Sequence, residues 1–378
     1  MIETDVIVIG AGIAGASVAA QLSATKSVTI LDMEGRAGYH TTGRSAAIFS
    51  ENYGTVPIRA LTRASRTFFA DTPSGFCDHP LLSPRGIIYL ARANQLTTLK
   101  DFEQANLGVE HLTQAELYER VPYLNKRNIV AGLLEVGGFD IDVNALHTGY
   151  LRQARNNGAE LLCNHTVTSL GSRGGNWSIA TTRGLFHAPV IINAAGAWAD
   201  EIAILAGVAP VGLKPLKRTA AIVKFDRPIN RDMCFLNDIG ENWYCRPEGS
   251  NLFLSPEDEI PSPPCDAWAD DMDVAAVIEQ ITEVLDLVPV KVESSWAGLR
   301  TFAPDHIFVI GFAPDAAGFF WLAGQGGYGF QTAPASAALA ASLVLDTSLP
   351  DYLQEQGLDA AQFSPNRFWQ GKGNLDET

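Results

Sequence analysis

Basic residues are scarce in this 378-residue chain: 27 Lys and Arg stand against 42 Asp and Glu, a formal charge of −15. A surface of that sign repels phosphate backbones and anionic lipid, which argues against nucleic acid or an anionic membrane as the main partner. Cysteine is scarce too. Cys77, Cys163, Cys234, Cys245 and Cys265 are odd in number and never spaced C-x-x-C. That argues against a disulfide scaffold and a zinc site, and for a reducing compartment; no metal site is expected. No run of 18 apolar residues occurs, so no transmembrane segment is expected. The basic stretch that opens a secretory signal is missing before the first apolar run. The expected location is cytoplasmic, with contact at the periphery of the inner membrane left open. Internal repeats are absent as well. What remains, 47% hydrophobic and 18% charged residues, is the composition of a globular enzyme, and the length implies two domains.

The densest signal lies in the first 34 residues. An apolar run, Val6 to Ile9, enters Gly10-Ala11-Gly12-Ile13-Ala14-Gly15; a helical pattern follows to about Leu22; a second apolar run, Val28 to Leu31, ends on Asp32. Strand, glycine turn, helix, strand and acid is the order of a dinucleotide-binding unit. Gly10 permits the tight turn, Gly12 lets backbone approach a pyrophosphate, and Gly15 lets helix and strand pack closely. The helix N-terminus offers unpaired N–H groups to the phosphates. Asp32 can accept from ribose hydroxyls and disfavours a 2′-phosphate.

Further along, residues 58–70 read as an amphipathic helix and residues 86–91 and 131–136 as strands. Val143 to Asn156 reads as a helix entered through Asp142 as N-cap. Strands are expected at Glu160 to Cys163, Trp177 to Thr181 and Val190 to Asn193. Residues 213–295 change character, with a Pro-rich loop at 261–264, strand-like pieces at Ala220 to Phe225 and Leu252 to Leu254, and a helix at Asp271 to Asp286. Nucleotide-domain style returns with Ile307 to Gly311, Phe319 to Ala323 and the turn Gly324 to Gly329, then a helix with Thr332 as N-cap and Pro334 in its first turn. The expected fold is α/β, α+β overall: a Rossmann-like dinucleotide-binding domain (1–50, 140–212, 296–378) with an inserted antiparallel-sheet substrate domain (51–139, 213–295).

Three features favour FAD over NAD: the fingerprint at the start, the polar loop Tyr39 to Ser45 after the acid, and the glycine turn before the last helix, whose N–H groups suit a flavin's pyrimidine edge. The chain resembles the FAD-dependent D-amino-acid oxidase superfamily, in Val6 to Gly15, Asp32, Gly43-Arg44-Ser45, Ile191 to Trp198 and Gly324 to Thr332. Within it the chain is most similar to D-arginine dehydrogenase-like enzymes, through Gly38 to Ala47, His79 to Arg85, Trp296 to Arg300 and Gln325 to Gly329.

The resemblance implies a noncovalent FAD along Gly10, Gly12, Ile13, Ala14, Gly15, Asp32, Thr42, Arg44, Ser45, Ala46, Val167, Ala195, Gly196, Trp198, Gly326, Gly327, Tyr328, Gly329, Gln331 and Thr332. For Ala195 and Val167, core packing is an equal reading. The resemblance further implies an α-amino-acid substrate, clamped at its carboxylate by Arg300 and faced by Arg218, Tyr53 and Tyr244, with the Gly327 carbonyl on its amine. Oxidative deamination of a D-amino acid by hydride transfer to the flavin follows, with a quinone or O2 as electron acceptor. Where the D-arginine enzymes carry a histidine and a glutamate, Ile48 and Ile87 stand here. A guanidinium against Ile87 would lose water without gaining a partner, so an apolar pocket including Trp243 and Phe235 is expected, taking hydrophobic or aromatic side chains. The alternatives are oxidation of sarcosine, another secondary amine or a cyclic imino acid, oxidation of a 2-hydroxy acid, and a flavin-binding subunit without catalysis.

Overall fold

The computed structural model describes residues 2–369. Val6–Ile9 is buried at every position, as a strand covered on both faces must be. It pairs in parallel with Val28–Leu31 on one side and Val190–Asn193 on the other. Glu160–Leu162 extends one edge in parallel, Phe319–Ala323 the other, and Val309–Phe312 closes the six-stranded sheet antiparallel. Side chains alternate across it. Val6, Val8, Val28 and Ile30 pack against helices Ile13–Leu22 and Gly329–Val344. Ile7, Ile9 and Leu31 pack with Trp177, Ile179 and Phe186 from a small meander on the opposite face. Asp142 caps the helix Val143–Asn156, accepting from the Ala145 N–H at 2.8 Å.

The second layer is a nine-stranded sheet built on the antiparallel pair Lys214–Phe225 and Pro289–Phe302, which runs from Lys214↔Phe302 to Phe225↔Pro289 with register shifts at Ile222/Val223 and Lys224/Phe225, and with Ile260–Pro261 beside Lys214–Phe225. Asn251–Ser255, Tyr244–Glu248, Phe235–Asp238, Ile87–Ala91, Ala131–Glu135 and Val109–Leu112 continue it, the step from Phe235–Asp238 to Ile87–Ala91 being parallel. Helix Asp271–Val284 buries Val274, Val277 and Ile281 on one face, over Ala221, Val223, Leu252 and Leu254. The other face, with Ala220, Phe235, Tyr244 and Phe253, turns toward the first sheet. The whole is a Rossmann-like α/β unit joined to a large, mainly antiparallel sheet.

Two elements cross the expected boundaries. Helix Val56–Ala70 packs on Gly329–Val344 and buries Ile58, Leu61 and Ala64 in the core of the first sheet. Pro289–Phe302 is one strand, so residues 296–302 belong to the second sheet. Thr332 is not an N-cap. The helix starts at Gly329, and the Thr332 hydroxyl donates to the Tyr328 carbonyl at 2.8 Å inside the first turn. Pro334 therefore lies within the helix. Among the described residues no helix is long and apolar enough to cross a membrane, and no group of three His, Cys, Asp or Glu could hold a metal. The five cysteines are unpaired.

Candidate active site

A long cleft opens at the carboxyl ends of Val6–Ile9, Val28–Leu31, Val190–Asn193 and Phe319–Ala323, where ligands of open α/β sheets bind. One end is lined by Gly10, Asp32, His40, Val167, Ala195 and Trp198; the other by Ile48, Tyr53, Arg218, Phe235, Tyr244, Glu257, Arg300 and Gly327. Gly12, Thr41, Thr42, Ala194 and Gly196 line both and join them.

The glycine turn is built as its spacing predicts. Gly10 has φ +104°, and a Cβ there would lie 2.4 Å from the Ala194 carbonyl oxygen. A Cβ on Gly15 would stand 1.9 Å from the Gly10 carbonyl oxygen. Asp32 accepts from the N–H groups of Ala11 at 2.7 Å and Glu34 at 2.9 Å, while burial pushes its carboxyl above the usual range. The His147 Nε2 lies 2.9 Å from the Ala11 carbonyl and braces the turn from behind.

These residues fit FAD. Helices Ile13–Leu22 and Gly329–Val344 both begin without an acidic residue in the first turn; the Thr42 hydroxyl takes the Ile13 N–H at 3.0 Å, and the other first-turn N–H groups are left for anions. The Gln325 amide nitrogen and the Thr301 hydroxyl, both in cleft-lining residues, are buried without partners.

Not every expected contact lies on the cleft. Ile13, Ala14, Thr42, Ser45, Ala46, Gly326 and Gly329 line it. Arg44 does as well, but its guanidinium donates to the carbonyls of Ala267 at 2.8 Å and Ala297 at 2.9 Å and to Asp266. It thus ties the polar loop to the second sheet and leaves the cleft to its stem. Gly15 acts through packing alone. Gln331 is buried, accepting from the Ser50 N–H and donating to Thr62. Thr332 is fully buried in its helix, and Tyr328 packs against Tyr53 with ring centroids 4.6 Å apart and planes tilted by 60°.

At the second end, Arg300 donates to the hydroxyls of Tyr53 at 3.2 Å and Tyr244 at 3.4 Å. No described carboxylate lies within ion-pair distance of it. Burial opposes its charge, but the surrounding Tyr53, Tyr244 and Glu257 oxygens hold it firmly protonated. The backbone of Gly327 lies against this group; a Cβ there would be 3.1 Å from both the Arg300 guanidinium carbon and the Tyr53 hydroxyl. Arg218, from the neighbouring strand, donates to Glu259 at 3.2 Å while its Nε and Nη1 are buried without partners.

Two pocket expectations are corrected. Ile87 does not line the cleft: it shares the face of its register neighbour Phe235 but is buried beside it, against Gly138. Trp243 faces the opposite side of the sheet, in the core under helix Asp271–Val284, since alternation turns Tyr244 toward the cleft and its predecessor away. Ile48 and Phe235 do form the wall, together with Ala220 and Phe253. Sequence reasoning missed Glu257, Asn237 and Phe253. The run Pro256-Glu257-Asp258-Glu259 reads as a solvated charged loop, and only the pairing of its strand with Lys214–Phe225 brings Glu257 to Arg218.

A family model described as FAD dependent oxidoreductase matches residues 5–343. Human dimethylglycine dehydrogenase is 26% identical over 281 residues, covering 68% of this chain and 31% of its own length. The chain thus spans about a third of that relative. The sarcosine oxidase subunit beta of Rhodobacter capsulatus is 24% identical, covering 97% of this chain and 89% of its own. The crystal structure of glycine oxidase from Geobacillus kaustophilus superposes with a TM-score of 0.84 at 21% identity, over 97% of this chain and 99% of that one; at that identity the likeness shows the fold. These matches support a family broader than the D-arginine dehydrogenases.

Proposed function

The chain belongs to the FAD-dependent oxidoreductase family, and from that premise we propose that it oxidises the amine of a small amino acid. The substrate we favour is an N-alkylated glycine or another secondary amine, such as sarcosine or a cyclic imino acid. The names of the sarcosine, glycine and dimethylglycine enzymes it is similar to support this choice. The carrying observation is Arg300, a guanidinium held between two phenols in the cleft with no carboxylate of its own. That is a fork waiting for a planar anion.

FAD, when bound, supplies the hydride acceptor. Gly10, Gly12, Asp32, Thr42, Ser45 and Gly326 would hold it. This chain's residues do the rest. Arg300 takes the substrate carboxylate, and Tyr53 and Tyr244 fix the angle of its guanidinium. The Gly327 carbonyl accepts from the amine and aims the adjacent C–H bond. Phe235, Tyr244 and Phe253 exclude water around it. The imine product is hydrolysed after release. A quinone or O2 takes the electrons onward.

A second reading, D-amino acids with apolar side chains, is favoured by the wall of Ile48, Ala220, Phe235 and Phe253. Anaerobic bleaching of the flavin absorbance separates the two. Fast bleaching by sarcosine, N-methylated amino acids or proline supports the first; bleaching confined to D-leucine, D-methionine or D-phenylalanine supports the second. Bleaching by neither class refutes amine oxidation.

A further inference from the structure

Glu257 lines the cleft and has no task in the scheme above. It follows Asn251–Ser255, and since Ala221 pairs with Leu254, the chain beyond Ser255 runs alongside Ala220 to Arg218. Its backbone has φ +54°, a conformation that costs a non-glycine residue energy and persists where surroundings enforce it. The side chain is 11% exposed. Its Oε1 stops 4.0 Å from the Arg218 Nη1, too far for a hydrogen bond, and its Oε2 is buried without a partner. The Nε and Nη1 of Arg218 are likewise unpartnered. A carboxylate present only to neutralise Arg218 would close that gap.

The groups around it set its proton affinity. Burial pushes the carboxyl up to about 7, against the pull of Arg218 and Arg300; Glu241 and Asp238 add to the rise. Tyr53 and Tyr244 face the same end of the cleft. Asp258 is occupied by the Thr219 N–H and hydroxyl, and Glu259 by Arg218.

An amino acid in neutral water carries an ammonium group, whose nitrogen has no lone pair to stabilise loss of hydride from the adjacent carbon. Resting on the amine-oxidation reading, we propose that Glu257 accepts the ammonium proton of the incoming substrate, which then reacts as a neutral amine with its carboxylate on Arg300. One N–H bond breaks and one O–H bond forms; the electron pair of the N–H bond stays on nitrogen. Arrival of the carboxylate adds negative charge beside Arg300 and strengthens proton binding at Glu257 as it is needed.

The test is anaerobic stopped-flow reduction of the holoenzyme by the amine that bleaches it fastest, from about pH 5.5 to about pH 10. In the wild type the second-order rate constant for flavin reduction rises through about pH 7 and levels off. In Glu257→Gln that limb disappears, the rate follows the amine's own ionisation, and it falls at least about tenfold at pH 7.5. Glu257→Asp, which keeps a titratable group, restores a limb. A Glu257→Gln enzyme with bound FAD and an unchanged limb overturns the inference and leaves amine oxidation standing. A wild-type enzyme that no amine reduces overturns both.

Discussion

Replacing Arg300 by Met separates the function of this side chain from its structural cost. The guanidinium makes two hydrogen bonds, at 3.2 and 3.4 Å, to phenols that can turn to other partners. Tyr53, Tyr244 and Glu257 keep the cation charged against the desolvation that burial imposes, and with no carboxylate at ion-pair distance the structural loss is chiefly those two hydrogen bonds, about 1 kcal/mol each. Arg300→Met should therefore lose only about 1–2 kcal/mol in a melt. Substrate binding should suffer heavily. Two charge-assisted bonds to a carboxylate, each worth about 1.5–3 kcal/mol, sum to about 3–6 kcal/mol, or a loss of roughly 10²–10⁴ in affinity. The assay is anaerobic flavin reduction over a range of substrate concentrations, paired with a thermal melt and the flavin-to-protein ratio. Wild-type reduction kinetics in a flavin-loaded Arg300→Met protein would refute the clamp. A loss well beyond about 2 kcal/mol would refute the view that its main role is in binding rather than in the fold.

Other outcomes follow from the same geometry. Gly15→Ala places a carbon 1.9 Å from the Gly10 carbonyl, which backbone cannot yield cheaply; a loss of about 3 kcal/mol is expected in a melt of the flavin-free protein. Gly12→Ala meets only the Thr42 hydroxyl, at 3.0 Å, so it should melt almost normally yet retain less FAD by absorbance. Ile87→Glu puts a carboxylate into the covered core and should cost at least about 2 kcal/mol without conferring activity on D-arginine, as melts and bleaching would register. His147 has its pKa lowered by burial and is bonded to the Ala11 carbonyl. Since the unfolded state then holds the proton more tightly, its contribution to stability is present above about pH 6.5 and lost as pH falls toward the depressed value. Melting temperature should drop with acid in the wild type, with a shallower slope in His147→Gln.

What could be read in advance was whatever acts locally. The turn from Gly10 to Gly15 and the Asp142 cap declare themselves because their partners lie within a few residues along the chain, or on the strand next in sequence. Thr332 misled because a threonine that caps a helix and one that bonds back to the carbonyl four residues earlier carry the same local signature. Trp243 misled because one residue at the start of a strand decides which face a side chain joins. Glu257 was invisible for a deeper reason: its burial is produced by strands far apart in sequence that bring Arg218 and Arg300 to it. Arg44 was placed on the right loop, but its three partners, Asp266, Ala267 and Ala297, are likewise brought to it by tertiary structure.

The interleaving of the two sheets bears on the order in which a ribosome delivers them. The Val190–Asn193 strand lies between Val6–Ile9 and Phe319–Ala323, so the first and last strands of that sheet share a neighbour. Between them the chain leaves for the large sheet twice and returns. A nascent polypeptide halted before residue 319 would therefore hold its dinucleotide fingerprint beside an open sheet edge, with the Gly326–Gly327 end of the cleft not yet made. Pairings of such long range form late and slowly as a rule, and the open edge favours self-association until the last strand arrives.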